Sequence, residues 1–159
     1  MEYFMIEVDE NFTPPRLENW FGKLDANGAK SISQYEMFML SNIPGMVFTD
    51  IIMYPCFMVS QEAKQVIEMY EPTLLFQRVV LFNNKKKTSR SYFVPYLRQS
   101  HPSVMEKQNA PALVKSLIED KVRIFMGLEL VESMLRRNMI GIGLKEVKWV
   151  NSEENQDGK

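Results

Sequence analysis

Two stretches of this 159-residue chain share a pattern that limits what it can fold into. Phe57-Met58-Val59-Ser60-Gln61-Glu62-Ala63 and Phe125-Met126-Gly127-Leu128-Glu129-Leu130-Val131 align at an offset of 68. In each, an apolar run passes directly into a segment whose apolar residues recur every three or four positions, the signature of a strand end leading into an amphipathic helix. The pattern predicts an α+β fold: a mixed or antiparallel sheet carrying two main amphipathic helices, at about 61–70 and 129–137, with both strand-helix-strand units packed on one sheet.

Local signals sharpen the first helix. Ser60 stands at the cap position, and Ala63, Val66, Ile67 and Tyr70 fall on one stripe while Gln61, Glu62, Lys64 and Glu68 fall on the other. Pro72 ends it. The second helix places Leu130, Val131, Met134 and Leu135 on one face, with Gly127-Leu128 where a hydroxyl cap is expected. Elsewhere short apolar runs bounded by turn residues predict strands. These run from Glu2 to Val8, Leu74 to Phe82 and Ser91 to Leu97 (a hairpin across Asn83-Asn84-Lys85-Lys86-Lys87), Leu113 to Ile118 and Val122 to Phe125 around Glu119-Asp120-Lys121, and a last strand ending near Trp149. Leu17 to Leu24 fits either a short strand or a helical turn, Asp25-Ala26-Asn27-Gly28 reads as a turn, and Ser31 to Leu40 as an apolar-rich segment. The reading is one α+β domain over 1–150 and a flexible polar tail at 151–159, rich in Glu, Asn, Asp and Gly.

The charge balance of −1 gives no global pull towards nucleic acid or anionic lipid. Its distribution is uneven. Met1 to Glu71 holds eleven acids against four bases, Pro72 to Met105 six bases and no acid, and the remainder nine of each. No run approaches the roughly 20 apolar residues of a membrane span. The start also lacks a basic segment leading into an apolar one, which predicts a cytoplasmic protein.

Groups able to support catalysis are sparse. His101 is the one histidine and sits beside Pro102 in a loop; Cys56 is the one cysteine, set among apolar residues, so neither a disulfide nor a thiol cluster is available. Gly141-Ile142-Gly143-Leu144 follows a helix and enters a strand, the reverse of the order a phosphate cradle needs. Counting back from Gly28 puts Lys23 where a calcium loop needs a carboxylate. Glu119-Asp120 and Glu153-Glu154 fall in a polar turn and the tail. Lys85, Lys86, Lys87, Arg90 and Arg98 accompany Tyr92, Phe93 and Tyr96, a combination that single strands use, but alternation buries part of those rings and the lysines form a hairpin tip, so nucleic acid is disfavoured. No catalytic, cofactor-binding or metal-ligating residue is assigned, and no cofactor. The twelve methionines occur mainly in apolar segments, where flexible thioethers suit cores and adaptable interfaces alike.

The order of pieces supplies a further clue: Asp50 before an apolar strand, Phe57-Met58-Val59-Ser60 capping a helix, a basic hairpin with Tyr92, then Leu130 to Leu135 and Asn138-Met139-Ile140-Gly141-Ile142 before a closing strand. From Val47 to Val150 the chain resembles the immunity proteins of bacterial polymorphic toxin systems, in the family typified by a myxobacterial immunity protein. The resemblance implies a small, non-catalytic bacterial protein of the cytoplasm that neutralises a cognate toxin by direct binding. It would act as a monomer or small homo-oligomer, with no membrane partner. The alternative is a structural or adaptor subunit of a phage or secretion assembly, which would show as a large homo-oligomer in light scattering.

Overall fold

The computed structural model describes residues 2–30 and 35–147. Within them the chain is α+β, with two helices and eleven strands. The strands are β1 (Tyr3–Val8), β2 (Leu24–Asp25), β3 (Gly28–Ala29), β4 (Tyr35–Met39), β5 (Ile51–Ile52), β6 (Met58–Ser60), β7 (Phe76–Asn83), β8 (Thr88–Pro95), β9 (Leu113–Ile118), β10 (Lys121–Gly127) and β11 (Ile142–Glu146). Helix α1 (Gln61–Tyr70) follows β6 and helix α2 (Leu128–Arg136) follows β10. The expected strand end near Trp149 and the polar tail lie outside the described residues.

The two strand-helix-strand units do not share a sheet, as the sequence pattern had suggested. β6 and β7 belong to a five-stranded sheet of order β4-β7-β8-β6-β5, whereas β10 and β11 belong to a four-stranded sheet of order β11-β1-β10-β9. In the larger sheet β8 lies between β6 and β7 and is antiparallel to both; in the smaller, β1 lies between β10 and β11 in the same way. Each unit is therefore a split β-α-β, two parallel strands with one antiparallel strand inserted. A short antiparallel strand closes the outer side of each, β5 on β6 and β9 on β10. Among the described residues the parallel pair β4–β7 and the two-stranded β2–β3 sheet have no equivalent.

Strand alternation decides what each sheet buries. Val59 and Phe93 of the large sheet and Phe4, Ile6, Ile124 and Met126 of the small one face a shared core with Ala63, Val66 and Ile67 of α1 and Leu130, Val131 and Met134 of α2. On the other face of the large sheet, Met58, Val79, Leu81, Tyr92 and Val94 meet Leu17, Leu24, Phe38 and Leu40. On the other face of the small sheet, Tyr3, Val114 and Phe125 meet Met105, from a short 3-10 turn at Pro102–Glu106. The ambiguous Leu17 to Leu24 is neither helix nor regular strand before β2 begins at Leu24; an isolated bridge ties Leu17 to Leu40, just past β4, and Phe21 bridges locally to Leu24.

The helix equivalence corrects the sequence alignment by one residue. Ser60 and Gly127 are the two N-caps, so the structural offset is 67, and the buried positions Ala63, Val66 and Ile67 then coincide with Leu130, Ser133 and Met134. Matching Phe57 to Phe125 had aligned apolar size at the expense of the cap. The Ser60 hydroxyl accepts from Ala63 N at 3.1 Å, while Gly127 has no side chain to offer and α2 starts at Leu128 all the same. Its buried face supplies the stabilisation that its cap lacks.

Candidate protein-binding surface

The duplicated architecture extends to single hydrogen bonds. Tyr92 pairs with the cap residue Ser60 across the large sheet, and Tyr3 pairs with the cap residue Gly127 across the small one. Both tyrosines are fully buried, and each donates its hydroxyl to a backbone carbonyl two residues before the outer strand: Tyr92 to Thr49 at 2.6 Å, Tyr3 to Pro111. Burial, with a smaller contribution from the Glu71 charge, pushes the Tyr3 phenol up to about 12. The cap amides repeat as well, Ser60 N donating to Asp50 O and Gly127 N to Ala112 O, both at 2.8 Å.

Those last two acceptors are where the units part. The Asp50 carboxylate accepts from Ser60 Oγ and from Ile140 N, each at 2.8 Å, and Asp50 N donates back to Ile140 O. Its equivalent is Ala112, whose amide donates to the Glu71 carboxylate at 2.6 Å. Each unit is thus tied to the far end of the other unit's helix, but in one tie the carboxylate comes from the residue before the outer strand, Asp50, and in the other from the helix end, Glu71.

Two clefts result. Where the C-terminal end of α2 meets the N-terminal end of α1, a cleft of about 390 Å³ is lined by Asp50, Glu62, Met69 and Arg137, whose guanidinium donates to Ser133 O and lies against Met69 Sδ. Where α1 ends and α2 begins, a cleft of about 630 Å³ is lined by Glu2, Glu71 and Glu129 over Ala112, Gly127 and Leu128. Among the described residues no basic side chain lines it. Small residues at the Asp50 and Ser60 positions open this space, and Glu129 sits at the helix position of Glu62. Beyond Glu71 and Pro111 it continues into a second hollow of about 690 Å³ bordered by Leu75, Tyr96, Leu97 and Arg98. Carboxylates around an apolar floor suit a cationic side chain carried on an apolar stem.

The sequence candidates fall elsewhere. His101 is exposed and its Nδ1 accepts from Ser103 N, capping the 3-10 turn. Cys56 is 2 % exposed, and burial, helped by the charge of Asp25, pushes its thiol up to about 12, so the reactive thiolate does not form near neutrality. Gly141 takes φ +85° beneath Thr49, and a Cβ on Gly143 would meet the carbonyl oxygens of Glu7 and Val8 at 2.8 Å. Asp25 Oδ1 accepts from Asn27 N in the β2–β3 turn. Lys85, Lys86 and Lys87 are exposed at the β7–β8 turn, Tyr92 is in the core, Tyr96 donates to Gln77, and Glu119 and Asp120 are exposed in the β9–β10 turn. Among the described residues no three His, Cys, Asp or Glu side chains gather as a metal site, and no helix is long and apolar enough to cross a membrane. The open cleft escaped sequence reading because Glu2, Glu71, Ala112 and Glu129 are far apart in the chain and none carries a local signal.

No protein-family model matches the chain, and no curated protein matches it in sequence.

Proposed function

We propose that the protein is a cytoplasmic, non-catalytic immunity protein of a bacterial polymorphic toxin system, which neutralises a cognate toxin by holding a basic segment of it in the open cleft between α1 and α2. The observation that carries this reading is the contrast between the clefts. At the same architectural position the Asp50 side is a smaller cleft whose acids Asp50 and Glu62 are accompanied by Arg137, and the Ala112 side is a larger one with three acids over an apolar floor and no base among the described lining residues. An acidic cleft speeds encounter with a basic partner and gives an association rate that falls with salt. The resemblance between Val47 and Val150 to such immunity proteins supports the same reading, and the cleft draws on that segment for Glu71, Ala112 and Glu129.

Co-expression tests it. Cells carrying the neighbouring toxin gene survive only when this protein is present, and death in both cases rejects the reading. With survival established, Glu129→Lys in the exposed rim weakens the complex by about tenfold, as loss and reversal of a rim charge pair would.

A further inference from the structure

Among the described residues, half of one face of the large sheet is left uncovered. Alternation along β4 and β7 sends Phe38, Val79 and Leu81 into the core away from the helices, so Met37, Met39, Val80 and Phe82 point to the face on which α1 lies. They stand in register, Met37 beside Val80 and Met39 beside Phe82. α1 lies over β6 and β8, and none of these four side chains joins any of the three core clusters. Met37 is 53 % exposed. Where an antiparallel sheet meets water its residues are ordinarily polar, as Ser89 and Ser91 of β8 are on this face. β4, the strand without a counterpart in the small sheet, therefore extends an apolar surface past the helix that covers the rest.

Spacing and charge specify an occupant. β4 lies two strands from β8, roughly 10 Å at ordinary strand separation, which is also about the distance between packed helices. One more helix fits beside α1. The Lys64 ammonium lies 5.4 Å from the Phe76 ring and 5.1 Å from the Phe93 ring, at the border of the open half, and pairs with Glu68 at 2.7 Å. Arg78 is exposed in the next row, its Nε donating to Ser91 Oγ, and Lys85, Lys86 and Lys87 stand just past Phe82. Glu36, the acid on β4, turns to the opposite face, where Lys23 lies 3.4 Å away.

We propose that this half-face binds an acidic amphipathic helix of a protein partner, its apolar side on Met37, Met39, Val80 and Phe82 and its carboxylates towards Lys64, Arg78 and the hairpin lysines. A second copy of the chain would set like charges against each other. Single-stranded nucleic acid, which could stack on Tyr35 and Phe82, is the competing occupant that the titrations separate. The proposal stands apart from the toxin-binding cleft and does not depend on it.

The test uses two fluorescein-labelled peptides of about 18 residues, long enough to form helix on a surface. Both carry leucine on one face; one carries glutamate on the others and its control carries lysine. In anisotropy titrations the glutamate peptide saturates the protein, and the lysine peptide binds at least about tenfold more weakly. Met37→Glu raises the Kd of the glutamate peptide by about tenfold, by placing an unpaired charge at the centre, and Arg78→Glu by about threefold, with circular dichroism showing both variants folded. Equal binding of the two peptides, absence of saturation, or an unchanged Kd in Met37→Glu overturns the proposal. So does a single-stranded oligonucleotide or an anionic vesicle that binds in preference to the peptide and is lost in the same variants.

Discussion

The two split β-α-β units are built alike and finished differently. In the first, the residue before the outer strand is Asp50, whose carboxylate gathers the cap hydroxyl of its own helix and the backbone beyond the other helix. In the second, Ala112 occupies that place, Gly127 is the cap, and the Glu71 carboxylate reaches in from outside. One junction is a polar knot beside a smaller, charge-balanced cleft; the other is a larger hollow with acids at its rim. A shared framework that ties the backbone with a carboxylate at one site and leaves an alanine at its twin separates what holds the fold together from what it leaves open.

The largest effect that would break this comparison lies at the return from α2. Gly141 combines φ +85° with an approach that would put a Cβ 2.5 Å from Thr49 Cβ, whereas Leu74, its equivalent by the offset of 67, needs no glycine. Gly141→Ala therefore lowers stability by about 3 kcal/mol in urea unfolding, through backbone strain and overpacking together. A loss below about 1 kcal/mol would show that the close seat under Thr49 matters little.

Next come the ties themselves. Asp50→Ala leaves the Ile140 amide unpaired and frees the cap hydroxyl, for a loss of about 2–3 kcal/mol, while Glu71→Ala removes one acceptor beside open solvent, for about 1 kcal/mol. Equal losses in the two variants, measured by urea midpoint, would erase the distinction between knot and hollow.

The smallest effect is in alkali. The phenol of Tyr3 is raised from 10.0 to about 12 and that of Tyr92 still further, both chiefly by burial. A pKa raised by folding stabilises fully below the unfolded value and progressively less as pH climbs through the folded one. Stability from Tyr3 is therefore intact below about pH 10 and falls away towards pH 12. Ultraviolet titration should show the Tyr3 and Tyr92 phenols ionising late, one in each unit, and Tyr92→Phe or Tyr3→Phe should each remove one late step. If both ionise near the ordinary pH of tyrosine, the twin buried phenols are misplaced.

What could be read beforehand was what neighbours in the chain decide. Ser60, the three-and-four spacing after it and Pro72 bound α1 on local chemistry alone, and Asn83 to Lys87 marked the hairpin, its Asn83 carboxamide accepting from the Lys85 and Lys86 amides. The second helix began one residue earlier than its apolar stripe suggested, because Gly127 caps without a side-chain oxygen. Sheet membership was not legible. β1 is an ordinary amphipathic strand, and nothing in Tyr3 to Val8 says that its partners are β10 and β11, more than a hundred residues on. The charge split was legible as a sum yet misleading as a surface, since the acid-rich first segment is divided between both sheets. The open cleft depends on an alanine being where an aspartate could have been, which only superposed architecture reveals.

The position of β1 also bears on how the molecule is made. The first unit draws β5, β6, β7 and β8 from one continuous stretch, so it can close as soon as that stretch leaves the ribosome. The second takes its central strand from the front of the chain, and that strand must wait with both edges bare until β10 and β11 have been synthesised. Glu2, Asp9 and Glu10, which bracket this waiting strand with negative charge, and Glu7 within it, give it a means of staying soluble and unpaired in the interval.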